Sequence, residues 1–397
     1  MTQTSLTLSD FDYALPRELV AANPYEDRAG CRLLHVDIKT GAVSHHTFRD
    51  LIKFLKAGDR LVLNNTKVLP ARIFGSKKTG GKVEALLLKE CEGQIWEALL
   101  RPGGRVKKGT VIEFGENGVR IQAEVLDESH EDSGQRKIRF DVGARSPRPE
   151  QGGGTPPLHD ILDKIGHIPL PPYIGRPDAA IDRERYQSVF AEKEGAVASP
   201  TAGLHFDQKL LEDLKIRGVE IVQVTLHVGY GTFQPVVVED LSQHRMFEEE
   251  FEVTEDAARK INRAKSEGRR VIACGTTVVR VLETVGAGLC ALPAGRQARP
   301  NEFACAHGGA PLQSMRGTTR LFIYPPYEFK IVDGLITNFH LPKSSLLMLV
   351  AAFMTGGGVR SPRPGEETSS LRLSDVYREA IRERYRFYSF GDAMLIV

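Results

Sequence analysis

The sequence predicts an α/β fold in which a largely parallel α/β domain is interrupted by an inserted antiparallel β-barrel domain. Two patterns support this prediction. After residue 157, segments with a helical period alternate with short apolar strands, which is typical of a parallel sheet covered by helices. Between residues 82 and 142, five short apolar runs follow one another without a helical period, which is typical of a small antiparallel barrel.

The elements expected before and inside the barrel are short. A helix is expected at 49–57 and a strand at 60–63, which runs into a polar turn at 64–67. Glycines and charged residues separate the barrel strands, which are expected at 83–88, 95–100, 111–114, 119–125 and 137–142. We therefore place the barrel domain at residues 64–157 and the α/β domain at residues 1–63 and 158–397.

After residue 157, predicted helices alternate with predicted strands. Leu210, Leu211 and Leu214 share one face of a helix that Gly218 ends, and Thr254 opens the next helix. Helices are expected at 206–217, 254–267, 277–285, 346–354 and 375–387. Strands are expected at 219–228, 270–274, 321–324 and 393–397.

Three stretches rich in Gly, Pro and Arg interrupt this alternation, at 143–157, 286–317 and 355–365. The first and third share the pentapeptide Arg-Ser-Pro-Arg-Pro. Such compositions cannot build an apolar core, so we interpret the three stretches as surface loop inserts and expect no third domain. The alternative, that they are flexible arms that contact RNA phosphates, stays open.

Charge and cysteine usage restrict the class of protein. The 397-residue chain has 53 Lys+Arg and 51 Asp+Glu, a formal net charge of +2, which excludes a polycation or an acidic solvating chain but not a local basic face. The five cysteines never fall in Cys-x-x-Cys spacing, so neither a disulfide framework nor a thiolate zinc site is expected. Because no apolar leader and no apolar run longer than 346–354 occurs, we expect a cytoplasmic protein.

Three common catalytic motifs are absent from the sequence. It has no Gly-x-x-x-x-Gly-Lys-Ser/Thr, no Gly-x-Gly-x-x-Gly after a strand, and no His-Glu-x-x-His. ATP hydrolysis, dinucleotide redox chemistry and a catalytic metal are therefore not expected.

Three histidines stand at the ends of predicted strands or in turns. His227 ends a polar row on the strand at 219–228, His205 lies in Pro-Thr-Ala-Gly-Leu-His, and His340 lies in Thr-Asn-Phe-His-Leu-Pro. An imidazole with a pKa near 6.5 suits proton transfer at neutral pH. Open α/β sheets bind ligands beyond the carboxyl ends of their strands. The alternative for His227 is a solvated histidine on a half-exposed edge strand, and a lone histidine such as His205 or His340 is more often structural.

Two further patterns are compatible with anion binding. Gly275-Thr276-Thr277 leads from a strand into a helix that carries Arg280, and free amide groups there suit a carboxylate or phosphate. Basic residues cluster with aromatic residues at 378–388 and form a second cluster at 101–108 between barrel strands. Arg and Lys contact phosphates while aromatic rings stack on bases, so RNA binding is one interpretation and a solvated charged face is the other.

Seven distinctive segments follow one another along the chain, at 64–72, 168–174, 200–206, 225–233, 275–283, 337–343 and 385–395. The first reads Asn-Asn-Thr-Lys-Val-Leu-Pro-Ala-Arg and the third Pro-Thr-Ala-Gly-Leu-His-Phe. In this order they closely resemble the S-adenosylmethionine:tRNA ribosyltransferase-isomerase family of queuosine biosynthesis. The resemblance extends from Phe11 to Val397 outside the three inserts.

The resemblance implies a specific reaction. S-adenosylmethionine would serve as a ribosyl donor and co-substrate, with no tightly bound cofactor. Its ribosyl unit would be transferred and isomerised onto 7-aminomethyl-7-deazaguanine at the wobble position of tRNA, in the anticodon stem-loop. Epoxyqueuosine would form while adenine and methionine leave. An α/β domain with an inserted barrel is also implied, in agreement with the pattern of predicted elements.

The resemblance marks motif positions, and the demands of the reaction suggest roles for them. His205, His227 and His340 are candidates for the base that removes a C5′ proton next to the sulfonium, and Asp392 is a candidate for helping adenine to leave. The expected substrate-binding residues are Thr201, Thr276, Thr277, Arg280 and Asn338, with Tyr173 or Phe233 stacking on adenine. The expected tRNA-binding residues are Lys67, Arg72, Arg101, Arg105, Lys107, Lys108, Arg384 and Arg386.

The sequence departs from the family pattern at two positions. Phe247 stands where the family has a second histidine, and Pro326 stands where glycine is usual. If the missing histidine serves the site, the chain is instead a catalytically impaired RNA-binding relative. A methyltransferase that uses the same co-substrate is a third class, but the glycine-rich turn usual in such enzymes is absent.

Overall fold

The computed structural model describes residues 6–92, 94–116, 118–127, 134–141, 158–233, 236–287, 312–356 and 371–397. The predicted insert at 143–157 lies outside the described residues, as do residues 288–311 and 357–365 of the other two. The helices are α1 Leu51–Phe54, α2 Leu158–Ile165, α3 Asp182–Arg185, α4 Gln208–Ile216, α5 Glu255–Ser266, α6 Thr276–Gly286, α7 Ser345–Gly356 and α8 Leu373–Arg382. Short 3₁₀ turns occur between them.

Seventeen strands are found in the described part of the chain. They are β1 Arg32–Val36, β2 Val43–Thr47, β3 Arg60–Asn64, β4 Thr66–Val68, β5 Arg72–Lys77, β6 Lys82–Glu90, β7 Ile95–Arg101, β8 Val111–Glu116, β9 Val119–Val125, β10 Gln135–Asp141, β11 Lys193–Ala196, β12 Glu220–Leu226, β13 Glu249–Val253, β14 Val271–Cys274, β15 Met315–Thr319, β16 Gly334–Asn338 and β17 Ala393–Ile396.

A nine-stranded mixed sheet forms the centre of the α/β part, in the order β15-β13-β12-β3-β14-β16-β17-β1-β2. β12, β3, β14 and β16 run parallel to one another, and β1 runs parallel to β17. The outer pairs are antiparallel. The central strand β3 is buried along its whole length because helices cover both faces of the sheet. The predicted α/β class is confirmed.

The two faces of β3 show how the helices pack. Val62 belongs to the core beneath α5, α6, α7 and α8, whereas Leu61 and Leu63 belong to the core beneath α1 and α4. This is the alternation expected of a strand, in which successive side chains point to opposite faces. α5 begins where the Thr254 Oγ1 accepts a hydrogen bond from the Ala257 amide at 3.2 Å. The turn after α4 uses Gly218 with φ = +88°, a conformation that favours glycine.

Six strands form a closed antiparallel barrel in the order β10-β7-β6-β5-β8-β9. Five of them were expected from the sequence. The sixth, β5, has only one fully buried apolar side chain, Ile73, so its apolar signal is weak. α2 adds its four apolar side chains to the barrel core. The chain boundaries of the two domains stay predictions.

Three predicted elements differ from the structure. The polar turn predicted at 64–67 is reduced to residue 65, because β3 extends to Asn64 and β4 begins at Thr66 and pairs in parallel with β11. Leu321, Phe322 and Ile323 are buried and Tyr324 is partly buried, but residues 321–324 form no strand, and β15 pairs with β13 just before them. α8 ends at Arg382 rather than at residue 387, because Arg384 adopts a left-handed φ of +55° that a helix cannot contain. Within the described residues, no helix is long and apolar enough to cross a membrane.

Candidate active site

A cleft lies beyond the carboxyl ends of the parallel strands. β3, β12, β14 and β16 run in the same direction, so their last residues reach the same edge of the sheet. The chain that follows β14 and β16 lines the cleft, together with residues 198–202 and Tyr388. This is where open α/β sheets bind their ligands.

The N-terminus of α6 forms one wall of this cleft. Gly275 has φ = +92°, and its amide donates to the Ile336 carbonyl at 2.7 Å, which turns the chain sharply from β14 into the helix. Among the described residues, no side chain caps the N-terminus of α6. Thr276 and Thr277, in the first turn of this helix, line the cleft. The buried Oγ of Ser199, which lines the same cleft, has no hydrogen-bond partner among the described residues. Together these donors suit an anionic group such as a carboxylate.

A hydrogen-bonded chain connects His205 to the cleft. The Asn338 Nδ2 donates to the Tyr388 carbonyl at 3.0 Å and lies 3.1 Å from the His205 Nε2, while its Oδ1 accepts from the Thr201 hydroxyl at 3.3 Å. Because the Tyr388 carbonyl can only accept, the amide orientation is fixed and the His205 Nε2 must accept as well. The ring proton is therefore on Nδ1, 3.2 Å from the Cys31 Sγ. Asn338 and Thr201 line the cleft, whereas His205 lies behind them.

His340 is the one of the three candidate histidines that lines the cleft. Its Nε2 lies 2.7 Å from the Thr337 Oγ1, and its Nδ1 has no hydrogen bond among the described residues. Its backbone is also held: the amide donates to the Tyr377 hydroxyl at 3.1 Å and the carbonyl accepts from the Tyr13 hydroxyl. Burial lowers the pKa of His340 to about 3, so its imidazole is neutral at pH 7.

Tyr173 and Tyr388 form an aromatic wall of the cleft. Their ring centroids are 4.6 Å apart with an interplanar angle of 33°, and the Tyr173 hydroxyl lies 2.6 Å from the Ser389 Oγ. Burial raises the pKa of Tyr173 to about 12, so its hydroxyl is protonated at neutral pH. A flat aromatic ligand could stack here.

His227 and Asp392, two of the predicted catalytic residues, do not line the cleft. The His227 Nδ1 lies 2.8 Å from the Thr66 Oγ1, on the side of the small β4–β11 sheet. The buried carboxylate of Asp392 accepts hydrogen bonds from the backbone amides of Arg32 and Arg386, at 2.8 and 2.7 Å. Burial raises the pKa of Asp392, although these two hydrogen bonds act to lower it. The catalytic roles suggested for both residues stay predictions.

Arg280 is engaged inside the protein rather than in the cleft. Its guanidinium forms a buried ion pair with Glu249, and its Nε donates to the Leu321 carbonyl at 2.9 Å. The Glu249 carboxylate also accepts from the Gly229 amide at 3.0 Å, so the pair joins α6 to the loop after β12. Phe233 ends a 3₁₀ turn in this loop, and its side chain lies outside the described part of the structure.

The predicted tRNA-binding residues fall into three groups. Lys67 pairs with Glu194, and Arg72 pairs with Glu84 and donates to the Leu170 carbonyl. The guanidinium of Arg386 lies 4.2 Å from the ring centroid of Tyr25, and Arg384 is exposed nearby. The exposed group at one end of the barrel consists of Arg101, Arg105, Lys107 and Lys108.

The departure at Phe247 lies outside the cleft. The Phe247 side chain is 50% exposed, and its ring packs so closely on Gly231 that a Cβ there would be only 2.3 Å from the ring. The preceding histidine, His244, contacts the Phe322 ring, and burial lowers its pKa. Neither residue lines the cleft that holds His340.

Several cleft residues were not among the predicted ones: Ser199, Thr337, Ser344, Tyr388 and Ser389. Each lies in or next to a segment that carries the family resemblance. The sequence signal was therefore present, but it does not tell which side chains of a segment turn toward the cleft. Among the described residues, no cluster of three or more His, Cys, Asp or Glu side chains could hold a metal ion.

The buried His205 makes stability depend on pH. Burial lowers its pKa to about 4 in the folded chain, whereas an unfolded histidine has a pKa of about 6.5. Between these values only the unfolded chain takes up the proton, so stability is lost as the pH falls from about 6.5 to about 4. The free energy of unfolding of wild type minus that of His205→Gln should therefore be about 2 kcal/mol smaller at pH 5 than at pH 7. Urea denaturation at the two pH values measures this difference. An equal difference at both pH values would contradict the neutral, buried state of His205.

The fold and the cleft together define an α/β protein with an inserted barrel and a cleft beyond the ends of its parallel strands, the position at which open α/β sheets bind ligands. The profile of a family described as queuosine biosynthesis protein matches residues 8–396. The chain belongs to this queuosine biosynthesis family.

Two relatives that are similar along their whole length support this assignment. An S-adenosylmethionine:tRNA ribosyltransferase-isomerase from Desulforamulus reducens is 45% identical, over 99% of this chain and 100% of the relative. One from Clostridioides difficile is 46% identical over 98% of each chain. A crystal structure of S-adenosylmethionine tRNA ribosyltransferase from Thermotoga maritima is 35% identical, covers 98% of this chain and 100% of its own, and has a TM-score of 0.48.

Proposed function

We propose that this chain is a tRNA-modifying transferase that uses S-adenosylmethionine as a ribosyl donor. It transfers and isomerises the ribosyl unit onto 7-aminomethyl-7-deazaguanine at the wobble position of tRNA, and it releases adenine and methionine. Family membership across residues 8–396 supports this reaction. The observation that carries it is the cleft in which a neutral histidine, an uncapped helix N-terminus and an aromatic wall come together.

His340 is the proposed base. The positive sulfonium of the donor acidifies the adjacent C5′ protons, and a neutral imidazole is needed to accept one of them. His340 is neutral at pH 7, lines the cleft and has a ring nitrogen without a partner among the described residues. Both ring nitrogens of His205 are already engaged, by Cys31 and Asn338. These contacts favour His340 over His205.

The remaining groups of the donor match other parts of the cleft. The methionine carboxylate fits the N-terminus of α6, where Thr276, Thr277 and the unpartnered Ser199 hydroxyl would hold it. Adenine fits the aromatic wall of Tyr173 and Tyr388. Because the Thr201 hydroxyl donates to Asn338, it can offer only acceptor sites to the ligand. S-adenosylmethionine acts here as a co-substrate, with no other cofactor required.

The RNA partner is proposed to present its anticodon stem-loop, since the reacting base lies at the wobble position. We propose that the reaction takes place in the cytoplasm, in keeping with a tRNA substrate. The exposed lysines and arginines at the barrel end (Arg101, Arg105, Lys107 and Lys108) suit the phosphates of that RNA. The second candidate function, an impaired RNA-binding relative, rests on Phe247, which lies outside the cleft.

Adenine release tests the proposed function directly. Purified protein with S-adenosylmethionine and tRNA carrying the 7-deazaguanine precursor should release adenine and methionine, detected by chromatography, and tRNA with unmodified guanine at that position is the control. Formation of S-adenosylhomocysteine would indicate a methyltransferase instead. Binding of the tRNA without any adenine release would favour the impaired relative.

A further inference from the structure

We propose that Phe74, on the outer face of the barrel, is a platform on which an unpaired nucleobase of the RNA substrate stacks. This inference rests on the proposed function and adds to it a contact remote from the reacting base. It follows from three features of the described barrel surface: an exposed ring, a groove of two depressions that starts at the ring, and a set of cations without a carboxylate partner on the neighbouring connections.

The first feature is the exposed ring itself. Side chains alternate along β5, so that Ile73 is buried in the barrel core while Phe74 is 48% exposed on the outside. His167 holds the ring in an edge-to-face contact with centroids 5.1 Å apart. His167 is itself fixed, since its two ring nitrogens lie 2.9 Å from Asp178 and 2.9 Å from Glu116. The ring is therefore supported by the protein and still accessible.

The second feature is a groove made of two adjoining depressions, which starts at this ring and ends one residue along the chain from the aromatic wall of the cleft. One depression on the barrel contains Phe74, Lys82, Glu84 and Arg101. It shares Glu84 and Arg101 with a second depression that continues along Leu170 to Pro172. The residue after Pro172 is Tyr173 of the aromatic wall. A strand of RNA whose wobble nucleotide occupies the cleft can follow this groove toward Phe74.

The third feature is the charge around the ring. The basic residues of the β5–β6 and β7–β8 connections have no carboxylate within 4.0 Å in the part of the chain that the structure describes; they are Lys77, Lys78, Lys82, Arg101, Arg105, Lys107 and Lys108. The Lys77 ammonium donates to the Arg105 carbonyl at 3.0 Å, which ties the two connections together. The acidic residues nearest the ring are engaged, Glu84 by Arg72 and Glu116 by His167. The surface around Phe74 thus attracts phosphate.

An exposed aromatic ring that shares a depression with cations such as Lys82 and Arg101 is suited to single-stranded RNA. Stacking on the ring face accepts any base, and the cations contact the phosphates on either side of it. The anticodon loop provides unpaired nucleotides next to the reacting one. The groove therefore extends the RNA contact from the α/β part onto the barrel.

Binding of the precursor-containing tRNA to Phe74→Ala and to Phe74→Trp tests this inference. Base stacking energies predict that the alanine variant binds about 5- to 150-fold more weakly, whereas the tryptophan variant retains wild-type affinity. Phe74→Leu keeps an apolar side chain without an aromatic face, so it should also bind weakly if the alanine variant proves unstable. Affinity for S-adenosylmethionine should be unchanged in all three. Ile216→Ala is the matched control, because Ile216 is an apolar side chain that is 85% exposed on α4.

A fluorescent base identifies the nucleotide concerned. An anticodon stem-loop with 2-aminopurine placed in turn at each loop position should show quenching with wild type at one position, and that quenching should be lost with Phe74→Leu. If wild type binds and modifies tRNA and Phe74→Ala and Phe74→Leu do so equally well, the stacking inference is overturned and the proposed function stands. If wild type neither binds tRNA nor releases adenine, both are overturned.

Discussion

Replacing His340 by alanine is expected to lower kcat for adenine release by about 10²- to 10⁴-fold, the range that a general base contributes. The neutral imidazole lines the cleft and has a ring nitrogen with no partner among the residues that the structure describes, so its removal takes away the proposed proton acceptor. Binding of S-adenosylmethionine should stay within a few-fold of wild type in a calorimetric titration. The two backbone hydrogen bonds of His340 do not involve the imidazole and should survive the substitution.

Three further variants make this result specific. His340→Gln can retain a hydrogen bond to Thr337 without supplying a base, so it should be as inactive as the alanine variant. His46→Ala removes a histidine on β2 whose ring contacts Ser44 far from the cleft lining, and should leave the rate unchanged. The variant His227→Ala tests whether His227, another candidate for the base, is needed for adenine release. If His340→Ala releases adenine at nearly the wild-type rate and His227→Ala releases it much more slowly, the base is His227 instead.

Replacing Arg280 by methionine is expected to destabilise the fold by about 3–5 kcal/mol, because it leaves the carboxylate of Glu249 buried without its charged partner. Both side chains of the pair are almost completely buried. Urea denaturation of wild type and variant measures the loss. The sequence suggests that Arg280 binds the methionine carboxylate, whereas in the structure Glu249 and the Leu321 carbonyl already occupy its guanidinium.

The double variant Arg280→Met, Glu249→Leu separates these two roles. Removing both charges also removes the penalty for an unpaired buried charge, so much of the lost stability should return. If Arg280 only stabilises the fold, the folded double variant should bind S-adenosylmethionine with nearly wild-type affinity. If the double variant is stable but its affinity for S-adenosylmethionine is strongly reduced, Arg280 binds the substrate.

The sequence predicted the architecture well where the hydrophobic pattern is strong. β3, β12 and β14 and the helices α4, α5 and α6 lie within two residues of their expected positions. The barrel strand β5 was missed because its exposed residues include Phe74, so the alternation of apolar and polar side chains is blurred. Similarly, residues 321–324 have the apolar character of a strand, but β15 occupies the pairing position at the edge of the sheet.

For the site, the sequence identified the segments but not the orientation of the side chains within them. His205 and Asn338 were both singled out, yet they are 133 positions apart and only their contact shows that one supports the other. Ser199 was passed over although it stands next to the matched segment at 200–206, because an unpartnered hydroxyl can be recognised only when its surroundings are known. The pKa of His340 likewise depends on burial by distant parts of the chain.

By itself, the sequence determined the family, the α/β class with an inserted barrel, and the segments around the cleft, because local periodicity and ordered motifs are written along the chain. Only the tertiary structure decided that His340 lines the cleft, that His205 lies behind Asn338, and that Arg280 is occupied by Glu249. The physical reason is that burial, hydrogen-bond partners and charge pairing arise between residues that are distant in the chain, and these interactions set the protonation and availability of each group.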